Sequence, residues 1–586
     1  MRRIQPHLDN MAFPPPLQHA SRKGVNNVMA SFVVNESINH HTEKGGKVFA
    51  CLLDIEKCFD SIWWAGLLYK MHDIGLDNKL WHLMLDWLIG SKCRVTQNGQ
   101  ISDTFALNRS IKQGGILSML NLCIFMHDIH QHVDAYYDLG LYCGDLYVGS
   151  VAYADDIMLM SSCKGNLDQM MYNAWDYSRK WRFSFSPSKS KCMVFGESER
   201  TNIHNRTTRQ FHVGEQLIQE VTHYDHLGVM LCSYDSSVER TNAACTKGAR
   251  TMASLSPCGL VHTRLYPFTS AFIWNRICIP AMLHGCELWH SLRKYEMDML
   301  ERTQCRALRG IQGLPPRTHN VITRGLLGEL SMDSRMCTMK LMFLFRLAIS
   351  NPCFLVKRIF LRRLYDHLLH GSMKGFIPDI ARILDLCSLK DYLFVYMCGG
   401  QFPSKLEWKQ LVKQAVNTLD YEFDRKSLLE KRDCSRYVRC MTMANHGSLH
   451  PLYTFTRHSD NVTDARSMLA VIRCLGLPEA HYDNIPCKLC NKEYADIVRH
   501  AVAECPALYE ERNTMWDYII DNLDVQRGVD LACKDDEQFA DFLCGAKWTG
   551  FENTCQADIE LFYFGLVNIF VKHFFKCITS NYEWFR

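Results

Sequence analysis

The chain has 586 residues, of which 47% are hydrophobic, 22% charged and 11% aromatic. This composition is typical of folded globular protein and excludes a disordered, collagen-like or simple coiled-coil chain. The formal net charge of +4 comes from 66 basic and 62 acidic residues, so the total charge does not by itself indicate a nucleic-acid-binding protein. At roughly 100–200 residues per domain, the length predicts three to five domains.

No targeting or membrane segment is predicted. Residues 1–17 are basic, but no apolar run of signal-peptide length follows them. No stretch reaches the ~18 uninterrupted apolar residues of a membrane span, and residues 561–575, interrupted by Lys572 and His573, predict a buried helix instead. We expect an intracellular protein, nuclear or cytoplasmic, that has no membrane partner. Its 27 cysteines are then expected to be reduced thiols, with room for a metal site, rather than disulfides.

The N-terminal part of the chain changes character near residue 47. Residues 1–46 are polar and contain Pro14–Pro16, which predicts a loosely structured lead-in. From residue 47 to 232, short apolar runs of β type alternate with helical stretches, which predicts an α+β domain. The runs at 48–53 and 148–152 both end in acidic residues, as buried strands do.

Beyond about residue 235 the pattern is mostly helical. The apolar spacing in 295–311 predicts a helix that ends at the Gly and Pro residues of 313–316. Residues 335–365 hold seven basic residues and no acidic one. This run predicts an interaction surface, with an ordinary solvated helix face as the alternative.

Three segments carry candidate catalytic chemistry: residues 48–64, 112–129 and 148–162. In the first, an apolar strand brings Asp54 to its end. In the second, a Gly-rich turn leads into an apolar helix. In the third, two apolar strands flank a tight turn that presents Asp155 and Asp156. Two adjacent carboxylates repel each other, and burying them adds a desolvation cost that a divalent cation removes.

If Asp54 lies beside Asp155 and Asp156, the three carboxylates form a hard oxygen site suited to Mg²⁺. Two such ions, about 3.5–4 Å apart, can activate a 3′-hydroxyl and stabilise a leaving pyrophosphate. The alternative is an ordinary Asp-rich hairpin turn.

The order of these segments resembles a known set of motifs. Together with residues 183–196 and 223–231, they resemble motifs A to E of a reverse transcriptase, above all those of non-LTR (long interspersed element type) retrotransposons. The resemblance covers about residues 17–330. It implies an RNA-directed DNA polymerase that uses an RNA template, a DNA primer or target, and dNTPs.

The resemblance also implies a right-hand polymerase architecture. The expected parts are a remnant of the fingers at 1–46, a palm with a ferredoxin-like sheet at 47–232, a helical thumb at 233–290, and a helical linker with a basic face at 291–480.

The same resemblance assigns roles to residues by position. Asp54 and Asp155 would bind both Mg²⁺ ions, Asp156 would be the third carboxylate, and Ile55 would contribute its backbone carbonyl. Phe59 occupies the position of the steric gate, where a ring excludes the 2′-hydroxyl of a ribonucleotide.

Further positions match residues that handle the substrates. Gln113 and Gly114 would contact the incoming nucleotide and the template, and Tyr153 joins the expected substrate-binding residues. Lys189 matches a lysine that protonates the leaving pyrophosphate as a general acid. Lys191 is a near alternative, and an ordinary solvated lysine is the third possibility.

The sequence departs from the family pattern in several places. Met119 stands where motif B usually has Pro, Cys123 where it has Asn, and Ser186 where motif D commonly has Asn. The basic fingers motifs that grip the triphosphate are expected upstream, where only Arg22 and Lys23 are candidates. The chain is therefore expected to be N-terminally truncated.

Two other functions remain open. The first is a catalytically inactive, nucleic-acid-binding remnant of such an element. The second is an RNA-templated RNA polymerase, which Phe59 disfavours because its ring would exclude ribonucleotides.

A compact cysteine and histidine pattern follows in residues 485–516. Its spacing is C-x2-C-x9-H-x4-C, and four such ligands suit tetrahedral Zn²⁺; they are Cys487, Cys490, His500 and Cys505. Among 27 cysteines about one C-x2-C arises by chance, so a cysteine-containing helix pair is the alternative. The segment resembles the CCHC module of these retrotransposons, which implies a structural zinc ion in a module at 481–516 that binds RNA or DNA. An acidic helical region at 517–586 is expected after it.

Residues 179–250 hold eleven basic and seven acidic residues, and four aromatic residues near the start of this stretch leave two interpretations open. Trp175, Trp181, Phe183 and Phe185 would either stack on bases or belong to the core.

Overall fold

The computed structural model describes residues 13–430, with gaps at 77, 235–236, 261–264, 291, 315 and 373, and residues 486–543, with gaps at 488 and 494–498. It also describes residues 4, 8, 437, 441, 443, 446–450, 453, 562, 565–567 and 569. Most of the helix predicted at 561–575, the end of the predicted linker and most of the acidic region after 543 lie outside the described residues.

The strands are short, and most of them form two-stranded hairpins. In chain order they are β1 (Val48–Leu53), β2 (Lys92–Cys93), β3 (Thr96–Gln97), β4 (Gln100–Ile101), β5 (Phe105–Ala106), β6 (Tyr142–Cys143), β7 (Leu146–Tyr147), β8 (Ser150–Tyr153), β9 (Asp156–Ser161), β10 (Lys191–Phe195), β11 (Phe211–Val213), β12 (Gln216–Ile218), β13 (His223–His226) and β14 (Val229–Cys232).

Helices make up most of the remaining structure. Those before residue 260 are α1 (Asn27–Glu43), α2 (Cys58–Ser61), α3 (Trp64–Asp73), α4 (Asn78–Ile89), α5 (Ser118–Phe125), α6 (Ile129–Val133), α7 (Lys164–Lys180), α8 (Glu199–Arg206) and α9 (Ser237–Leu255). Those after it are α10 (Pro267–Ile273), α11 (Ile279–Met282), α12 (Lys294–Gln312), α13 (Asn320–Gly325), α14 (Met332–Ile349), α15 (Leu355–His370), α16 (Phe376–Leu386), α17 (Lys390–Met397), α18 (Lys405–Leu429), α19 (Tyr509–Asn522), α20 (Val525–Ala532) and α21 (Asp536–Leu543).

One four-stranded antiparallel sheet organises the N-terminal half, with the strand order β10-β1-β9-β8. Helices α5 and α6 lie between β1 and β8 in the chain, and α7 lies between β9 and β10. This β-α-β-β-α-β order is that of a ferredoxin-like sheet. The strand predicted at 48–53 and the hairpin predicted within 148–162 are confirmed.

Both faces of this sheet are buried, because successive residues of a strand point to opposite sides. Val48, Ala50 and Leu52 of β1 belong to one core, which they share with α1 and with helices α14 to α18. Cys51 and Leu53 belong to the other core, with α3, α5 and α7. A strand that is buried on both faces is apolar throughout, which explains the unbroken apolar run of β1.

The expectation of a loosely structured lead-in is wrong for residues 27–43. They form α1, which is capped by the Asn26 side chain through a hydrogen bond from the Met29 amide, and most of this helix is buried. Its polar residues have specific partners: Glu36, which is fully buried, forms an ion pair of 2.9 Å with Arg363 of α15. Polar composition concealed this burial because the compensating charge lies 327 residues away.

The expectation of an exposed basic face is also wrong for three members of the run 335–365. Lys340, Lys357 and Arg363 are buried, and each has polar partners inside the helical core. Lys340 contacts Asp379, and Lys357 donates to backbone carbonyls near the end of α14. A buried cation is tolerated only with such partners, so these residues stabilise the fold. Arg358 of the same run is exposed.

The structure also answers two questions from the sequence: whether the aromatic rings at 181–185 belong to the core, and where the helix predicted at 295–311 ends. Trp181, Phe183 and Phe185 are buried, which confirms the core interpretation for these three rings. The helix predicted at 295–311 is α12, and Gly313 follows it with φ +63°, the left-handed conformation that glycine provides at helix ends.

The third hydrophobic core lies in the C-terminal half. It combines residues of α9 to α14 with residues of the segment 487–543. Within the described ranges, no helix is long and apolar enough to cross a membrane.

Candidate active site and a second ligand cluster

The register of the sheet brings the three predicted aspartates to one edge. Leu53, the last residue of β1, lies opposite Ile157 of β9, so Asp54 and Asp156 occupy the next position of the same antiparallel pairing. Asp155 precedes Asp156 in the turn between β8 and β9. Residues separated by about a hundred positions in the chain therefore converge through strand pairing.

The turn that carries Asp155 is a two-residue loop, since Tyr153 and Asp156 are paired across it. Its first residue, Ala154, is buried and has φ +59°, a conformation that most residues avoid. The side chain of Gln18 makes two hydrogen bonds to the backbone of Ala154. The turn is thus held from outside the hairpin.

Asp155 and Asp156 lie in an environment that disfavours their negative charge. Burial raises the pKa of Asp156 to about 6, and the charges of Asp155 and Asp54 add to this effect. Burial also raises the pKa of Asp155, with a further contribution from Asp54. The pKa of the buried Cys58 thiol is raised by its burial and by all three aspartates. The side chains therefore share one strongly negative region.

This region fits divalent cations with oxygen ligands. One carboxylate oxygen of Asp54 is buried and receives no hydrogen bond. In the described part of the chain, Asp54, Asp155 and Asp156 are not among the groups whose ligand atoms all lie within 4.8 Å of one another. Carboxylates that serve two ions about 3.5–4 Å apart need not form a tighter group.

The contacts of the two candidate lysines differ. The Lys189 Nζ lies 3.5 Å from a carboxylate oxygen of Asp54, and its side chain is 69% exposed. The Lys191 Nζ instead donates to the Ser188 carbonyl at 2.7 Å and to the Gln219 side chain at 3.0 Å. Of the two, only Lys189 has an ammonium group that faces the carboxylates.

The predicted substrate-binding residues differ in how exposed they are to solvent. Ile55 is buried and pairs with Phe185, and Phe59 is half-buried in α2, directly after the Asp54 strand. Tyr153 is half-buried at the end of β8. Gln113 and Gly114 lie on an exposed turn that precedes α5.

Sequence reasoning missed two residues that position the aspartates. The Ser190 hydroxyl accepts a hydrogen bond of 3.1 Å from the Asp54 amide. Gln18 holds the turn before Asp155, as described above. Neither residue is charged or nucleophilic, so only the pairing of distant segments reveals them; Gln18 does belong to the upstream segment that resembles the family.

The four predicted zinc ligands also come together. Their ligand atoms all lie within 4.8 Å of one another, and the Cys490 Sγ is 3.4 Å from the His500 Nε2. Burial and the neighbouring thiols Cys487 and Cys490 raise the pKa of Cys505 to about 12. Sulfur and imidazole ligands at such distances fit tetrahedral Zn²⁺, which would stabilise the thiolates.

A different group of side chains, Asp420, Asp424 and His446, meets the same distance criterion. Here Arg324 lies among the acidic groups, 2.7 Å from Asp424 and 3.7 Å from Asp420, and it also lies 2.6 Å from Glu301. The guanidinium is a buried positive charge among these acidic groups, whereas the Lys189 ammonium beside Asp54 is largely exposed. This group is therefore an ion-pair network that joins α12, α13 and α18.

Comparison with known proteins gives independent information. Residues 1–231 match the family model described as "Reverse transcriptase (RNA-dependent DNA polymerase)". The chain is 23% identical over 287 residues to the RNA-directed DNA polymerase from mobile element jockey of Drosophila funebris, covering 47% of this chain and 29% of that protein. It is 23% identical over 274 residues to the probable RNA-directed DNA polymerase from transposon X-element of Drosophila melanogaster, covering 44% of this chain and 28% of that protein.

The chain spans less than a third of the length of these curated relatives. The matched family region contains the whole four-stranded sheet, the three aspartates and Lys189. Residues 1–231 are therefore similar to reverse transcriptase domains, and the chain is similar in part to the RNA-directed DNA polymerases of mobile elements.

Proposed function

We propose that the chain is an RNA-directed DNA polymerase of a non-LTR retrotransposon. It would transfer deoxynucleotides to a primer 3′-hydroxyl and release pyrophosphate, with the sheet edge of Asp54, Asp155 and Asp156 as the catalytic centre. The observation that carries this proposal is the convergence of these three carboxylates, each on or beside a strand end, inside the matched domain.

In this proposal residues 47–232 are the palm of a right-hand polymerase. The strand order β10-β1-β9-β8 supports it, because that order places the ends of β1 and β9 side by side. Residues 233–290 would be the thumb and 291–480 the linker. Helices of the linker pack on the palm sheet through the core they share with α1.

Asp54 and Asp155 would hold two Mg²⁺ ions, assisted by Asp156 and the carbonyl of Ile55. When bound, such ions activate the 3′-hydroxyl and stabilise the leaving pyrophosphate. The chain contributes the fixed positions of the carboxylates, since both strands are buried and paired on both sides. Fixed charges of this kind need no reorganisation at the moment of reaction.

Lys189 would donate a proton to the leaving pyrophosphate. Its exposed ammonium lies beside Asp54, so it can reach a phosphate bound at the same edge. General-acid catalysis of this kind contributes roughly 10²–10⁴-fold to a rate.

Phe59, on the short helix α2 after Asp54, would exclude the 2′-hydroxyl and favour dNTPs over ribonucleotides. Gln113, Gly114 and Tyr153 would contact the nucleotide and the template. The exposed turn of Gln113 and Gly114 is open to such contacts.

Cys487, Cys490, His500 and Cys505 would hold one structural Zn²⁺ in a module that binds RNA or DNA. The proximity of their four ligand atoms supports the zinc assignment. The contact with nucleic acid rests on the family resemblance alone.

Primer extension on an RNA template tests the proposal. The purified chain, with Mg²⁺ and dNTPs, should extend a DNA primer, and Asp155→Asn should not. Asp103→Asn, at an exposed position between β4 and β5, is the matched control and should keep wild-type activity. Undiminished extension by Asp155→Asn would contradict the mechanism, and RNA binding without extension by the wild type would support the inactive remnant instead.

A further inference from the structure

The turn before Asp155 requires an external support. Ala154 is buried, has φ +59° and carries a side chain, so its conformation is unfavourable without compensating contacts. Asp155 and Asp156, which follow it, repel each other. Contacts from outside the hairpin would offset both effects.

Gln18 supplies this support with its side-chain amide. Its Oε1 accepts a hydrogen bond of 2.9 Å from the Ala154 amide, and its Nε2 donates to the Ala154 carbonyl at 3.1 Å. The same Oε1 accepts from the Ala20 amide at 3.0 Å. Gln18 is only 2% exposed, so water does not replace these bonds. Among side chains of this length, only an amide offers an acceptor and a donor together.

The backbone around Gln18 is joined to the same hairpin. The His19 amide donates to the Ala152 carbonyl at 2.8 Å, and the Ala152 amide donates to the Leu17 carbonyl at 2.9 Å. Gln18 and Ala152 thereby form a parallel bridge beside β8. Four hydrogen bonds in all connect residues 17–19 to the strand and turn that precede Asp155.

Arg22 keeps the segment in this shape. Its guanidinium donates to the Gln18 carbonyl at 2.9 Å, to the Pro15 carbonyl at 2.6 Å and to the Pro14 carbonyl. It also lies over the ring of Phe354, 5.1 Å from the ring centre. Arg22 and Lys23 are the sequence candidates for binding the triphosphate. The guanidinium of Arg22 is bonded within residues 14–22, whereas Lys23 is exposed.

We infer that Gln18 is a positioning residue for the carboxylate pair. By fixing both polar groups of the Ala154 backbone, it sets where Asp155 and Asp156 point and so how well they hold divalent cations. The inference rests on the proposed function, because the position of these carboxylates matters for catalysis only if they bind the metal. A misplacement of about 1 Å at such a centre can cost about 10²-fold in rate.

Two variants of Gln18 test the inference in the full chain. Gln18→Met conserves the length and volume but removes every hydrogen bond of the amide. Gln18→Asn keeps an uncharged amide but is one methylene shorter, so it cannot reach both polar groups of the Ala154 backbone. The matched control is Gln312→Met, since Gln312 is also fully buried and donates to the Leu308 and Thr323 carbonyls, in the helical half of the molecule.

Three quantities are measured: kcat and the dNTP KM in primer extension, and the affinity for Mn²⁺ by electron paramagnetic resonance. We expect Gln18→Met to lower kcat by about 10–100-fold, with the dNTP KM changed less than threefold. Its affinity for Mn²⁺ at the aspartates, identified as the binding that Asp155→Asn removes, should fall about five- to tenfold. Gln312→Met should leave kcat and Mn²⁺ affinity unchanged.

Unchanged kcat and Mn²⁺ affinity in Gln18→Met would overturn the inference, as would equal losses in Gln312→Met. If Gln18→Met does not fold, Gln18→Asn decides, and its unchanged Mn²⁺ affinity would count against the inference. If the wild type extends no primer, the proposed function fails, but the Mn²⁺ comparison of wild type and Gln18→Met still decides the role of Gln18.

Discussion

The two ligand clusters of this protein are built in opposite ways. Asp54, Asp155 and Asp156 come from distant parts of the chain and are placed by the register of a buried sheet. The Cys/His ligands come from one short segment, residues 487–505, in which the Asn491 amide returns to the Cys487 carbonyl at 2.6 Å. The first cluster is positioned by pairing between distant strands, whereas the second is positioned by turns within its own segment, where the Cys505 amide donates to the His500 carbonyl.

The two clusters also differ in the metal ions that their ligand atoms prefer. Carboxylates beside a strand end prefer hard cations that exchange readily, as a substrate-binding centre requires. Thiolates and imidazole prefer Zn²⁺, whose binding free energy stabilises the local fold. We therefore expect the carboxylate cluster to serve catalysis and the Cys/His cluster to serve structure.

The largest expected effect on the rate of primer extension distinguishes the carboxylate cluster from the Cys/His cluster. Asp155→Asn should lower the rate of primer extension by roughly 10³-fold or more, because it removes a charge on which the chemistry depends. Cys487→Ser should change the rate of the first nucleotide addition less than about tenfold, since the sheet edge does not depend on the zinc segment. Equal losses in single-turnover assays of the two variants would break the distinction between the clusters.

A smaller effect is expected at the edge of the carboxylate cluster. Lys189→Ala should slow nucleotide addition by roughly 10–100-fold, at or below the lower end of general-acid effects, because other donors and water can partly replace an exposed lysine. Lys191→Ala is the matched control, since its ammonium is bonded to Ser188 and Gln219. A comparable loss in both variants would assign no special role to Lys189.

The dependence of local folding on metal should differ between the regions. Removing zinc with a chelator should speed amide exchange in residues 486–505 by about tenfold or more, because the binding energy of zinc is also folding energy. Peptides from β1 and β9 should keep their protection, since their hydrogen bonds lie in the buried sheet. Hydrogen-exchange mass spectrometry measures both, and equal deprotection of the sheet would contradict the account.

Acid should affect the sheet region through buried histidines. His130 is buried behind β8, 2.8 Å from the Ser150 hydroxyl, and burial lowers its pKa to about 4. The unfolded chain, with an ordinary histidine pKa near 6.5, then binds more protons between pH 6.5 and 4, so stability is full above pH 6.5 and falls as the pH drops.

Replacing this histidine gives the smallest expected effect. The free energy of unfolding should drop from pH 7 to pH 5 in the wild type. In His130→Asn this drop should be smaller by roughly 1–2 kcal/mol. Urea denaturation at the two pH values measures the difference. An identical pH dependence in wild type and variant would show that His130 does not titrate with unfolding.

The sequence could predict what depends on local pattern. The apolar run of β1, the paired aspartates of the hairpin and the helix that ends at Gly313 each follow from neighbouring residues. The spacing of the four Cys/His ligands likewise marked a group that the structure brings together.

It could not predict what depends on distant partners. Helix α1 looked like a polar lead-in because the charge that compensates Glu36 is on Arg363. The basic run 335–365 suggested a surface because the partners of Lys340 lie elsewhere in the chain. Gln18 carried no recognisable chemistry until strand pairing placed it against Ala154. Long-range pairing of polar groups decides all three cases.

The most direct test of the central claim is single-turnover addition of one deoxynucleotide to a primer on an RNA template, by the wild type and by Asp54→Asn. We expect addition by the wild type that depends on Mg²⁺ and none above background by Asp54→Asn, with RNA binding equal in both. Addition that survives Asp54→Asn, or that needs no divalent cation, would contradict a catalytic centre at this sheet edge.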